Sequence, residues 1–333
     1  MIMPPLSSAS RSANADLPLA VGPAISASGG RVAASEEDCL FIATLIAAEG
    51  LGDEGLARAR EAIAALEPGQ PRWIEPGVAA DIPFAGDPKI ARGALEGLLP
   101  KTDVIVQPEA GRAKRLLVAD MDSTMITIEC IDELADYAGI KPQIAEITER
   151  AMRGELDFEG ALDARVALLR GLDAGVIDRC HEERVVIMPG AKELIRTMRA
   201  NGARCVLVSG GFTVFADRVA AEIGFDRALS NTLDIADGAL LGTVARPIVG
   251  AATKRETLVA EAAALGIGHD QVLAVGDGAN DIPMIELAGL GVAYHAKPKT
   301  AAAAGARIDH NDLTALLFAQ GFARVDWVNQ VRA

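Results

Sequence analysis

Asp120 and Asp122 stand one residue apart in Asp120-Met121-Asp122-Ser123-Thr124, directly after the apolar run Arg115-Leu116-Leu117-Val118-Ala119. Such a run reads as a buried strand. Carboxylates at its C-terminal end are displayed in the crevice where open α/β sheets bind ligands. Like charges this close repel and raise one another's pKa, so the pair calls for a cation between them or a proton on one of them. Both conditions suit phosphoryl transfer, in which a metal-held carboxylate attacks phosphorus and its neighbour protonates the leaving oxygen. The plain alternative is a turn, where Asp and Ser are common.

Three later segments bear on that choice. Val206-Leu207-Val208-Ser209-Gly210-Gly211-Phe212 is a strand running into a turn whose Ser209 hydroxyl and glycine N–H groups can point at one oxyanion. Thr253-Lys254-Arg255-Glu256 reads as a capping box that puts Lys254 in a first helical turn. A lysine there opposes the helix dipole, an unfavourable placement that bridging a phosphate and its nucleophile would explain. Leu273-Ala274-Val275-Gly276-Asp277-Gly278-Ala279-Asn280-Asp281 is strand, acidic Gly-rich loop, then helix. It offers Asp277 as a hard oxygen ligand for Mg²⁺, while Asp281, a turn later, can hold a metal-bound water or Lys254. The competing readings are an ordinary strand-to-helix turn, a solvated lysine and a helix N-cap.

The elements that must position these residues follow from periodicity. Residues 1–36, rich in Ser, Ala, Gly and Pro, read as a flexible tail without motifs. Strands at 39–46, 70–74 and 103–107 alternate with helices at 54–66 and 88–98, giving a small α+β module over 37–107. By element order it resembles ferredoxin-like, ACT-like domains, and its role is either a packing or homodimer contact or regulation. After a linker at 108–114, a core is expected over 108–124 and 189–333, with a helical cap over 125–188 built from helices at 129–137, 142–153, 158–170 and 174–183. A cap so placed can cover the site and exclude water. Beyond it the pattern predicts helices at 192–200, 213–223, 254–265, 279–287, 298–304 and 312–319. Strands are expected at 204–208, 271–275, 291–293 and 307–308, with a hairpin of 229–235 and 239–244 turned at Asp237-Gly238. The alternation implies a doubly wound, Rossmann-like parallel sheet.

Asp-x-Asp-x-Thr, Ser-Gly-Gly, a lone lysine and Gly-Asp-Gly-x-Asn-Asp, in that order on an α/β framework, resemble the haloacid dehalogenase superfamily of phosphotransferases. The resemblance implies Asp120 as nucleophile, Asp122 as general acid and then base, and one Mg²⁺ held by Asp120, the Asp122 backbone carbonyl and Asp277. Thr124, Ser209, Gly210 and Lys254 would grip the phosphoryl group. Two cap residues narrow the ester. On the helix from Phe158, a 100° step aligns Leu162, Arg165 and Leu169 with Phe158, so Arg165 faces inward and its guanidinium needs a carboxylate. Glu129 also sits in an apolar run, Met125 to Ile131, where an unpaired acid is costly. An acid and a base over a phosphate site suit a small molecule carrying both ammonium and carboxylate; the alternative is that the two pair with each other. Glu129, Ala151-Met152-Arg153-Gly154, the 158–169 segment and the phosphate motifs together resemble the phosphoserine phosphatase family across roughly 115–320. That implies O-phosphoserine as substrate, through an aspartyl-phosphate at the last step of phosphorylated serine biosynthesis. Glu129 would bind the ammonium and Arg165 the carboxylate, Met152 and Phe158 would shape the pocket, and Asn280 would act near the phosphate. Alternatives are a phosphatase or phosphotransferase for another small amine or acid, and a serine-binding regulatory protein.

Composition is consistent with this. A chain of 333 residues with net charge −14 and 50% hydrophobic residues can build a full α/β domain plus something smaller. The acidic balance argues against nucleic acid and anionic membrane as partners, and no apolar run of membrane-spanning length occurs. The N-terminus lacks the pattern of a secretory signal. Cys39, Cys130, Cys180 and Cys205 show no CxxC spacing, which fits a reducing cytoplasm. An acidic protein with an anionic substrate needs local positive charge, from a metal, lysine or arginine.

Overall fold

Six parallel strands form the sheet that carries the Asp120 loop in the computed structural model, which describes residues 41–328. The expected tail at 1–36 and Cys39 lie outside the described residues, as does the side chain of Met152. The strands are β5 (Leu116–Ala119), β6 (Arg204–Phe212), β7 (Arg227–Asn231), β10 (Val272–Gly276), β11 (Leu290–Tyr294) and β12 (Ala306–Ile308). Their order is β12-β11-β10-β5-β6-β7, with Val118 opposite Ala274 on one side and Val206 on the other. β5 is buried on both faces, as its uninterrupted apolar run requires. Leu116 and Val118 pack with Val206, Leu258 and Ala274, while Leu117 and Ala119 pack with Leu194, Cys205 and Phe215. The first crossover carries the chain from β5 to β6 and a later one to β10 on the opposite side, so the carboxyl ends of β5 and β10 flank the switch point where such sheets bind ligands.

The first crossover contains α3 (Cys130–Tyr137), α4 (Lys141–Met152), α5 (Phe158–Leu168), α6 (Gly175–Arg184) and α7 (Ala191–Ala200). The remaining core helices are α8 (Thr213–Ile223), α9 (Ala251–Leu265), α10 (Ile282–Ile285), α11 (Pro298–Ala303) and α12 (Ala315–Ala319). The single strand expected over 229–235 is two. β7 ends at Asn231 in the main sheet, and β8 (Leu233–Ala236) leaves to pair antiparallel with β9 (Ala239–Val244). The buried Asn231 side chain is tied to core backbone, whereas Leu233, two residues on, is buried beyond the break. The Thr253/Glu256 capping box does not form either. α9 begins three residues earlier, at Ala251 after Gly250, and the Lys254 N–H donates to the Gly250 carbonyl at 3.0 Å, so Lys254 lies past the first turn. The helix expected over 279–287 is a 3₁₀ turn followed by the short α10.

A second sheet is formed by β1 (Phe41–Ala47), β2 (Arg72–Glu75), β3 (Ala79–Phe84) and β4 (Thr102–Pro108), in the order β2-β3-β1-β4 with every pair antiparallel. With α1 (Asp53–Ala62) and α2 (Pro88–Leu95) the order is β-α-β-β-α-β, a split βαβ unit. The sequence pattern lacks β3 because Asp81 and Pro83 interrupt its apolar run. In the fold Asp81 is buried and bonded to Thr44 and Arg112. The two helices cover one face through Leu56, Ala59, Ala91 and Leu95, and Ile46, Ala79 and Ile105 on the other face join the main core.

Candidate active site

Lys254 is fully buried at the base of the crevice, its Nζ 2.7 Å from Asp120 Oδ1 and 2.6 Å from Asp281 Oδ1. Burial works against its charge, but Asp120 and Asp281 outweigh that and hold the ammonium above the ordinary lysine value. Asp120 Oδ1 also accepts the Met121 N–H at 2.7 Å, and Asp281 Oδ2 accepts the Gly278 N–H at 2.9 Å. Asp277 follows β10 directly, and Thr124, fully buried, aims its hydroxyl at Asp277 Oδ1 from 3.4 Å. Burial first, then the charge of Asp120, raise the Asp277 pKa. Oxygens of Asp120, Asp277 and Asp281 lie within 4.8 Å of one another, the one such acidic grouping among the described residues. Hard oxygen donors of this kind suit a Mg²⁺-class cation. Both Asp281 oxygens are already engaged, which leaves Asp120 and Asp277 as the better donors.

Asp122 lies two residues beyond Asp120, with Oδ1 closed from solvent and without a hydrogen-bond partner. Burial raises its pKa well above the usual carboxylate value, and Glu129 and Asp120 push it further. An acid raised in this way holds its proton to higher pH than a free carboxyl group does, and can donate it. Glu129 is raised too, by burial, against the hydrogen bond that the Ser123 hydroxyl donates to Oε1 at 2.8 Å. Ser123 reaches it from a left-handed backbone conformation, φ 55°, which is costly for a serine and recurs at functional loops.

A cavity of about 450 Å³ opens above these groups. Its floor includes Asp120, Asp122 and Asp277, and its cap side includes Glu129, Phe158 and Arg165. Ser209, Gly210 and Asn280 complete the polar wall, with the Gly211 N–H donating to Ser209 Oγ at 2.9 Å. The structure thus gathers these sequence-identified residues around one space, with Lys254 and Thr124 behind the wall. Arg165 and Glu129 do not pair. The Arg165 Nε donates to the Ala161 carbonyl at 3.2 Å, and the guanidinium makes no ion pair among the described residues. Its pKa is lowered by burial, against the attraction of Asp132, Glu129 and Asp122. Two polar participants were missed. Ser123 was read only as part of a turn, although it orients Glu129. Lys297, at the cavity mouth with its Nζ 3.9 Å from Asp277 Oδ2, follows β11 in His295-Ala296-Lys297-Pro298; a cation directly before a helix-starting proline at a strand's carboxyl end was the available signal.

Comparison with known proteins accords with this geometry. The family model described as haloacid dehalogenase-like hydrolase matches residues 117–286. A phosphoserine phosphatase of Streptomyces coelicolor is 48% identical over 64% of this chain and 52% of its own length. One of Archaeoglobus fulgidus is 44% identical over 64% of this chain and 62% of its own. The chain therefore spans little more than half the length of these curated relatives. A crystal structure of a probable phosphoserine phosphatase from Vibrio cholerae, unliganded, superposes with a TM-score of 0.68 at 34% identity, covering 86% of this chain and 88% of that one.

Proposed function

The chain belongs to the haloacid dehalogenase-like hydrolase family, and from that premise we propose that it hydrolyses O-phosphoserine to serine and inorganic phosphate with Mg²⁺. The observation that carries the reading is the placement of two opposite, mutually unpaired charges in one cavity. Glu129 and Arg165, not bonded to each other, share it with Asp120 and Asp122. A substrate with an ammonium, a carboxylate and a phosphoryl group would satisfy all three regions at once.

Asp120 Oδ1 is held by Lys254 and the Met121 N–H, which leaves Oδ2 for attack on phosphorus. The new bond joins Asp120 to phosphorus, the ester P–O bond breaks, and the departing serine oxygen takes the Asp122 proton. Water then attacks the aspartyl-phosphate, delivering a proton to the Asp122 carboxylate and freeing phosphate. The Ser209 hydroxyl and Gly210 N–H would donate to the phosphoryl oxygens, and Lys254 would offset charge building at the nucleophile. Asp120, Asp277 and the Asp122 backbone carbonyl would hold the Mg²⁺, whose role is to stabilise the charge on the phosphoryl oxygens. Such help is needed, because phosphate monoesters are among the slowest hydrolyses, requiring up to about 10²¹-fold acceleration.

The test is phosphate release from L-phosphoserine beside phosphoethanolamine and phosphoglycolate, with Mg²⁺ and then EDTA. Mg²⁺-dependent preference for phosphoserine is expected. Preference for either other ester would overturn the roles of Glu129 and Arg165, and inactivity on all three would overturn the proposal.

A further inference from the structure

Asn231 lies outside the cavity, yet its side chain ties together two of the segments that build it. It is 1% exposed, at the end of β7. Its Nδ2 donates to the Gly210 carbonyl at 2.9 Å and to the Val249 carbonyl at 3.2 Å, and its Oδ1 accepts the Val249 N–H at 2.7 Å. Gly210 belongs to the Ser-Gly-Gly turn. Val249 precedes Gly250, whose carbonyl receives the Lys254 N–H at the start of α9. One amide therefore sets the distance between the phosphate-facing turn and the helix start that aims Lys254 at Asp120.

The same two segments meet the cap from the other side. A Cβ on Gly210 would come within 3.0 Å of the Phe158 ring, and one on Gly250 within 3.1 Å. A side chain at either position would crowd the Phe158 ring, which would have to give by a few tenths of an ångström, so the ring packs closely on both glycines. The aromatic ring closes the pair from the cap, and Asn231 holds it from the core.

Resting on the phosphatase reading, we infer that Asn231 is a positioning residue, which fixes the Ser209–Gly210 donors relative to Lys254 and presents both to the reacting phosphoryl group. Its two donors and its acceptor all meet backbone, so it acts only through other groups. An asparagine that merely filled a polar gap would affect stability, and activity only in proportion. A positioning residue affects transition-state contacts more than ground-state binding, because displacement of such groups by about 1 Å can cost on the order of 10²-fold in rate.

The experiment compares wild type, Asn231→Asp and Asn231→Ala with Leu95→Ala, a buried change in α2 remote from the site. Asn231→Asp keeps the acceptor for the Val249 N–H but sets a carboxylate oxygen against two carbonyls. Folding is followed by circular dichroism and urea titration, turnover on phosphoserine by phosphate release, and binding of orthovanadate with Mg²⁺ by calorimetry. The Asn231 variants should lose about 10²-fold in kcat with KM within about threefold, and should bind orthovanadate correspondingly more weakly. Leu95→Ala should keep wild-type kcat and orthovanadate affinity at its lowered stability. Folded Asn231 variants with near-normal kcat, losses confined to KM, orthovanadate binding unchanged, or failure of both variants to fold would each overturn the positioning role. If wild type binds orthovanadate but leaves phosphoserine intact, the substrate reading fails, and the vanadate comparison still decides Asn231.

Discussion

Two groups of buried charge differ in how completely they are satisfied. Where the four-stranded sheet meets the core, the Asp103 carboxylate accepts the N–H groups of Asp309, His310 and Asn311 and the Asn311 side chain, at 2.8 to 3.3 Å. Beside it Arg112 pairs with Asp81 and donates to the Ala319 and Phe318 carbonyls at 3.1 and 3.0 Å. Asp81 there has a cation, and the Asp103 carboxylate has a full set of N–H donors. At the carboxyl ends of β5 and β10, Asp120, Asp122, Glu129 and Asp277 crowd together, one oxygen of Asp122 has no partner, and the carboxyl groups of Asp122, Glu129 and Asp277 are raised in pKa. Buried charges that are fully paired hold a structure, whereas buried charges left short of partners await a ligand and a proton. The two groups should therefore fail in opposite ways when damaged.

The largest separation is expected from Asp120→Asn. Loss of the proposed nucleophile should lower kcat on phosphoserine by more than about 10³-fold, while circular dichroism and the urea transition show an intact fold. Near-normal turnover in that variant would end the nucleophile assignment. Arg112→Ala should do the reverse. Stranding the buried Asp81 should cost about 3 kcal/mol in urea denaturation, with kcat essentially unchanged. A silent effect on stability, or a collapse of kcat at full stability, would break the division between the two groups.

The same contrast explains what was legible in the sequence. The loop after β5 could be read because an uninterrupted apolar run fixes a buried strand, and a buried strand in an α/β sheet fixes where its carboxyl end points. Lys254 was reached through a capping box that does not form, since the local pattern around Thr253 cannot show that α9 starts at Ala251. β3 was missed because Asp81 looks unfit for a buried strand until Arg112, 31 residues later, is folded against it. Likewise the break between β7 and β8 depends on Asn231 reaching residues 210 and 249. Glu129 was noticed as an acid in an apolar run, but its bond from Ser123 depends on a left-handed backbone that no propensity reveals. Strand-end motifs follow local rules; side-chain ties across tens of residues do not.

Arg165 sharpens the comparison within the site, since it is a partly buried cation without an ion pair among the described residues, whose proposed partner is the substrate carboxylate. Arg165→Ala should reduce kcat/KM for phosphoserine by about 10- to 100-fold, the worth of a hydrogen bond to a charged group, and reduce it far less for phosphoethanolamine, which has no carboxylate. Equal losses on both esters would remove Arg165 from substrate recognition and return it to a packing role.

The most gradual effect is on stability against pH. Burial raises Asp122, Glu129 and Asp277 above their usual values of 3.8, 4.5 and 3.8, and pushes Asp281 up to about 7 with help from Asp120 and against Lys254. Between those unfolded values and the raised native ones, the folded protein binds more protons than the unfolded chain, so stability is present at the acid end and falls as pH rises through the window. Urea denaturation of the metal-free protein should show a loss on the order of 2–3 kcal/mol from pH 5 to pH 8. Mg²⁺ held as proposed would bind the ionised carboxylates of the folded state, so it should recover more stability at pH 8 than at pH 5. Replacing Asp122 with Asn should shrink the pH slope. Stability that rises from pH 5 to pH 8 without metal would contradict the raised carboxyl groups, and with them the contrast between the satisfied and the unsatisfied charges.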